Sequence, residues 1–259
     1  MNSLSFDRAA GIYDQTRPLP EPIAKHGIQA ILDLMGAGAR VLDVGTGTGR
    51  ISVPLLERGA DLIGCDISSK MLMRLQEKFP SARIAQSDAS HLPFSAAQFD
   101  DVLTVHVMHL ISPWREALRE FRRVLKPAGA YLNVRTWATV GTSVREQMRV
   151  FWRGGLKAKG VDIGLPGVQD HEELLQELRV LDARLTEVEV VHYHLTFTLH
   201  EELERIASRS YSDTWNISDA VLDASLQELR AWLHHEFGDL DQQHEDEVRF
   251  VIDVARFEG

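Results

Sequence analysis

Only one cysteine, Cys65, stands in 259 residues, so an internal disulfide is ruled out. Long hydrophobic runs are missing too. The most apolar stretch, around Val102 to Ile111, is broken by histidines and falls well short of the roughly 20 residues a membrane helix needs. The opening residues Met1 to Arg8 show neither a basic leader nor an apolar stretch behind one. These absences lead us to expect a cytoplasmic protein without a membrane span. Positive charge is scarce: 28 Lys and Arg stand against 38 Asp and Glu, a net charge of −10. A nucleic-acid partner would call for a basic surface, so none is expected. No repeat or low-complexity segment appears. The length suits one large domain, or a domain with a cap.

Glycine, by contrast, is concentrated where it matters. From Val41 to Val44 an apolar strand enters a loop with glycine at alternate positions, Gly45, Gly47 and Gly49, and a helical pattern follows from near Thr48. Glycine lets the chain turn sharply and lets a ligand lie against bare backbone. The helix start presents unpaired N–H groups to the crevice, as in nucleotide-binding open sheets. A dinucleotide fingerprint asks for a small residue at the sixth position counted from Gly45, but Arg50 stands there. A nicotinamide-linked oxidoreductase is therefore disfavoured.

Three acids sharpen the choice of cofactor. A second strand, Ala60 to Asp66, ends on a carboxylate able to accept both ribose hydroxyls. A third, Ala82 to Gln86, leads into Asp88, a carboxylate suited to an adenine amino group. Asp43, near the end of the first strand, would repel a pyrophosphate but attract an ammonium or sulfonium.

On these residues the chain resembles a class I S-adenosylmethionine-dependent methyltransferase of the type-11 group, which includes quinone-biosynthesis methyltransferases. Val41 to Arg50, Cys65 to Ser68 and Ser87 to Ser90 match its glycine, ribose and adenine motifs. Phe99 to His106 match its fourth strand, and Val124 to Gly129 its turn into the fifth. Ala128 stands where the family usually has glycine. The resemblance implies a Rossmann-like α/β fold, a seven-stranded mostly parallel sheet with an antiparallel last strand and a helical lid insertion. It implies S-adenosylmethionine as cofactor, S-adenosylhomocysteine as product, and a small-molecule acceptor. Cofactor contacts carried over are Tyr13, Arg17, Asp43, Gly45, Thr46, Gly47, Gly49, Asp66, Ile67, Met71, Asp88, Ala89 and His106. Arg17 would pair the methionine carboxylate, Ile67 would lie against adenine, and Ala89 would offer a backbone contact.

Along the chain we expect residues 1–37 to form an N-terminal segment and helix over the cofactor. Residues 38–137 form the cofactor-binding core. Residues 138–259 supply cap helices, an insertion between the last strands, and the sheet edge. Ser112-Pro113 reads as a helix cap followed by proline at the first helical position. Pro54 reads as interrupting a helix. Helices near Ser143–Lys157, His171–Leu181, Glu201–Arg209 and Asp219–Phe237 surround a long strand ending at Thr198, and Val248–Phe257 closes the sheet. The acid-rich run Glu236 to Glu247 reads as a solvated turn.

Methyl transfer from a sulfonium is an in-line displacement with a good leaving group, so alignment and water exclusion carry most of the catalysis. His109, just past the fourth strand, is the candidate base or acceptor contact. Trp137, Phe151, Trp152, Tyr211 and Trp215 either line an apolar acceptor pocket or form core. The pairs His106/His109, His192/His194 and His234/His235 lack a neighbouring third ligand, so no metal is expected. A monomer or homodimer is expected. The alternative to an enzyme is a non-catalytic sensor of S-adenosylmethionine or S-adenosylhomocysteine.

Overall fold

The computed structural model describes residues 5–7, 10–11, 13–138, 143–161 and 163–257. Seven strands form one sheet in the order β3-β2-β1-β4-β5-β7-β6. They are β1 (Arg40–Val44), β2 (Asp61–Asp66), β3 (Arg83–Gln86), β4 (Phe99–Val105), β5 (Leu125–Ala138), β6 (Ala183–Thr198) and β7 (Gln243–Phe257). The first five pair in parallel, and the last runs antiparallel to them. Every residue of β1 beyond Arg40 is buried, as expected for a parallel strand covered on both faces.

Helices join the strands: α1 (Tyr13–Thr16), α2 (Ile28–Met35), α3 (Ser52–Glu57), α4 (Ser69–Lys78), α5 (Trp114–Val124), α6 (Val144–Ala158), α7 (His171–Val180), α8 (Leu199–Ala207) and α9 (Asp219–Phe237). In α5 the apolar residues Trp114, Ala117, Leu118 and Phe121 recur at helical spacing. They pack with Leu42, Val44, Ile63, Cys65 and Tyr131 of the strands and Leu174 and Leu178 of α7. Side-chain caps begin several helices, among them Ser68 on the Met71 amide, Ser143 on Glu146 and Asp170 on Glu172. Thr198 and Glu201 form a reciprocal capping box at α8.

Some expectations are corrected. Pro113, not Ser112, occupies the cap position of α5, and no side chain caps that helix. The helix after the glycine loop starts at Ser52 rather than near Thr48, which places Pro54 in its first turn. Amides there have no intrahelical partner, so the proline removes nothing. β5 begins at Leu125 and absorbs Pro127, Ala128 and Gly129 through a register shift against β4 between Phe99 and Asp101. β7 begins at Gln243, so the last five residues of the acid-rich run are strand. Within it Asp246 is buried, accepting from Ser143 and paired with Arg145 at 3.2 Å.

The chain divides into two compact units. One comprises residues 1–136, 166–191 and 250–259; the other, residues 137–165 and 192–249. The second unit thus joins α6 to the insertion carrying α8 and α9, while α7 belongs with the first. Its own core unites Met148, Trp152 and Leu156 of α6 with Leu203, Ile206 and Leu229. Trp152 is core there, Tyr211 packs against that core and Trp215 is buried, whereas Phe151 is partly exposed and stacks on Trp232 at 4.3 Å. The side chain of Trp137 lies outside the described residues.

Candidate functional site

The strand tips of the first unit end around a glycine loop whose course is set by backbone bonds. The amides of Gly45 and Thr46 both donate to the Cys65 carbonyl of β2, at 2.8 and 3.0 Å, so the loop folds across toward that strand. Gly45 adopts φ +74°, and a side-chain carbon there would come within 2.4 Å of Val107. Only glycine allows the loop and the segment after β4 to approach so closely. Gly47, at φ +58°, donates its amide to Oδ2 of Asp66 at 2.9 Å. The other Asp66 oxygen accepts from Ser68 at 2.8 Å, so the carboxylate stitches the loop to the start of α4. Burial raises the Asp66 carboxyl above its ordinary range, with those two amides working against the shift.

A cleft opens beside this loop. Of the residues expected to bind cofactor, it brings together Tyr13, Arg17, Gly45, Gly47, Asp66, Ile67, Met71, Asp88, Ala89 and His106. Asp43 and Thr46 line a smaller adjoining recess with Arg50. Gly49 lines neither; a side-chain carbon there would press on Val53 at 2.8 Å and Leu75 at 2.9 Å, so it serves packing. His109 lines neither cleft nor recess. The backbone carbonyl of its turn accepts from Gly167 at 2.9 Å. Phe6, Ser87, Val105, Val107, Leu110 and Ile111 also line the cleft, without having been expected to bind cofactor. Alternating apolar residues reveal a strand but not which of them reaches its open end.

The polar groups are held individually. Asp88 accepts at one oxygen from the amide and hydroxyl of Ser90, at 2.9 and 2.8 Å. Asp43 accepts from Ser52, whose hydroxyl also bonds Thr46; burial nonetheless pushes the Asp43 carboxyl up to about 6. His106 sits at φ +52° with Nε2 bonded to the Thr136 hydroxyl at 2.8 Å. Burial, helped by Arg50, His109 and Arg17, pushes it down to about 3, so its imidazole is uncharged at neutral pH. The N-terminal segment contributes Arg17, whose guanidinium lies 4.9 Å from the Tyr13 ring and 5.6 Å from that of Phe6. Asp14 of α1 is anchored by Thr48 and Lys78, each at 2.6 Å. Cys65, the cleft's thiol, is pushed by burial up to about 12 and is no nucleophile at neutral pH.

A sequence model described as a methyltransferase domain matches residues 42–133, from the first strand into the fifth. An uncharacterized methyltransferase of Mycobacterium bovis is 32% identical over 214 residues, covering 82% of this chain and 79% of that one. The chain belongs to the S-adenosylmethionine-dependent methyltransferases. A demethylmenaquinone methyltransferase of Beutenbergia cavernae is 35% identical over 127 residues, covering 48% of this chain and 53% of the relative. A Haemonchus contortus phosphoethanolamine N-methyltransferase, solved with S-adenosylhomocysteine, shares the fold. Its TM-score is 0.55 at 18% identity, covering 98% of this chain and 58% of that one.

The cleft of this methyltransferase has the chemistry its cofactor demands. A side-chain carbon at Gly47 would meet no atom nearer than the Gly45 carbonyl, at 4.0 Å, so protein leaves the space beside the loop open. Carboxylates suit ribose and adenine donors, and an uncharged His106 avoids repelling a cationic sulfonium.

Proposed function

We propose that this methyltransferase alkylates a small-molecule acceptor by in-line transfer. The observation that carries this reading is the cleft itself. Apolar side chains of Phe6, Val105, Val107, Leu110 and Ile111 wall it beside a few carboxylates, the mixed lining typical of a small-molecule pocket. The net charge of −10 supports it further by disfavouring a polyanionic acceptor.

In this reading Asp66 accepts the ribose hydroxyls, Asp88 the adenine amino group, and Ile67 and Met71 flank the base. The backbone of Gly45 and Gly47 receives the methionine part, and Arg17 pairs its carboxylate. Bound S-adenosylmethionine supplies a methyl group already activated by its positive sulfur. The protein's task is to align donor and acceptor and to exclude water. Phe6, Tyr13 and Arg17, held together by ring and cation contacts, provide the covering side. No proton-transfer role falls to His106, because an imidazole that titrates near 3 is a poor base at neutral pH.

The test is to incubate the enzyme with methyl-labelled S-adenosylmethionine and bacterial extract, then separate products by size. Label should enter a low-molecular-weight compound that separates chromatographically from S-adenosylmethionine and is absent without enzyme. Label confined to protein or nucleic acid would overturn the small-molecule reading.

A further inference from the structure

Arg50, the residue that departs from the dinucleotide fingerprint, follows the glycine loop directly and is half-buried. It lines the recess beside the cleft together with Asp43, Thr46 and Gly47. Among the described residues its guanidinium makes one hydrogen bond, from Nη1 to the Arg17 carbonyl at 3.3 Å, and no ion pair. The acids around it are engaged elsewhere. Asp14 accepts from Thr48 and pairs with Lys78, Asp43 accepts from Ser52, and Asp66 accepts from the Gly47 and Ser68 amides.

A guanidinium carries five donors in a fixed fork that matches a carboxylate. One bond to a backbone carbonyl leaves Nε and Nη2 of Arg50 for a further acceptor. Tyr13, Gly45, Gly47 and Val105 line both the recess and the cleft, so a ligand in one can reach into the other. Arg50 and Arg17 are tied by that backbone bond, and both disfavour protonation of His106, so they stand at one end of the cleft. With Asp43 opposite in charge to Arg50, the recess complements a group that carries both a carboxylate and an ammonium.

We propose that Arg50 binds the carboxylate of the cofactor's methionine part, as a second guanidinium beside Arg17. This assignment rests on the proposed placement of the methionine part along Gly45 and Gly47. The two arginines differ in origin. Arg17 arrives with the N-terminal segment, whereas Arg50 belongs to the loop leaving β1, so its hold does not depend on that segment. Pinning the far end of the methionine chain also fixes where its sulfur stands, which in-line transfer requires. Arg50 is a binding and positioning residue in this account and moves no proton.

The test is calorimetric titration of S-adenosylhomocysteine, and separately of its decarboxylated analogue, into the full-length protein. The analogue keeps the nucleoside, sulfur and amine and lacks only the carboxylate. The parent should prefer S-adenosylhomocysteine. Arg50→Ala should weaken binding of that ligand by about tenfold or more while leaving affinity for the analogue nearly unchanged, so the preference shrinks. Arg50→Gln, which keeps a donor for the Arg17 carbonyl but loses the charge, should shrink it too. The exposed Arg58, bonded to the Pro54 carbonyl, is the charge control, and Arg58→Ala should leave both affinities unaltered. Should Arg50→Ala bind neither ligand, Arg50→Gln decides. A preference equal to the parent's in the deciding variant would overturn the proposal, as would an equal loss of preference in Arg58→Ala. A parent without any preference would overturn the placement of the methionine part, and the proposal with it.

Discussion

Gly47 donates its amide to Oδ2 of Asp66 at 2.9 Å, joining the glycine loop to the tip of the second strand. Asp66 thus has a structural task besides the ribose contact proposed for it, and substitution can separate the two. Asparagine keeps an oxygen for the amide but loses the charge; alanine loses both. Asp66→Asn should weaken S-adenosylhomocysteine binding by about 10-fold and Asp66→Ala by about 100-fold, as expected for charged hydrogen bonds. Calorimetry reads the difference. Equal, near-parental affinity in both variants would contradict the assignment.

The two glycines of the loop should fail differently. At Gly45 an added carbon collides with Val107 at 2.4 Å, so Gly45→Ala should lower the stability of the unit itself. At Gly47 the added carbon has room, so Gly47→Ala should cost about 1 kcal/mol for its left-handed backbone and chiefly reduce cofactor affinity. Chemical denaturation alongside ligand titration distinguishes them.

Ala128 occupies φ +61° in the irregular start of β5. Left-handed backbone costs an alanine about 1–2 kcal/mol, whereas glycine loses about 0.5–1 kcal/mol through unfolded-state freedom. Ala128→Gly should therefore stabilise the protein by about 1 kcal/mol. A urea midpoint that stays put or falls would show that the local backbone relaxes instead.

Asp43 gives stability a pH dependence of definite sign. Burial raises its carboxyl from 3.8 to about 6, so the folded state holds this proton more tightly than the unfolded chain. The resulting stabilisation is full below about pH 4 and is lost as pH rises through about 6, on the order of 3 kcal/mol in all. Asp43→Asn, which retains an acceptor for Ser52, should remove this slope. Parallel stability curves for parent and variant between pH 4 and 7 would contradict the account.

Much of this was legible because local chemistry and global fold agree. The glycine loop, the strand-end acids Asp66 and Asp88 and the Asp219–Phe237 helix each carry their signal within a few residues. What could not be read depends on distant partners. Asp246 looked like part of a solvated acidic turn, because its partners Ser143 and Arg145 come from a helix about a hundred residues earlier. The residues that follow β4 closely could not be sorted by sequence into wall and backing. The left-handed turn at His106 and the short 3-10 helix Met108–Leu110 leave His106, Val107, Leu110 and Ile111 on the cleft wall. Proline beside serine suggested a cap, but proline took that position itself.

The central claim is that the tips of β2 and β3 hold one adenosine against the glycine loop. A crystal structure with S-adenosylhomocysteine tests it most directly. Asp66 should lie within hydrogen-bond distance of the ribose hydroxyls, Asp88 should face the adenine amino group, and the methionine part should run along Gly45 and Gly47. A nucleoside bound away from both carboxylates would contradict it.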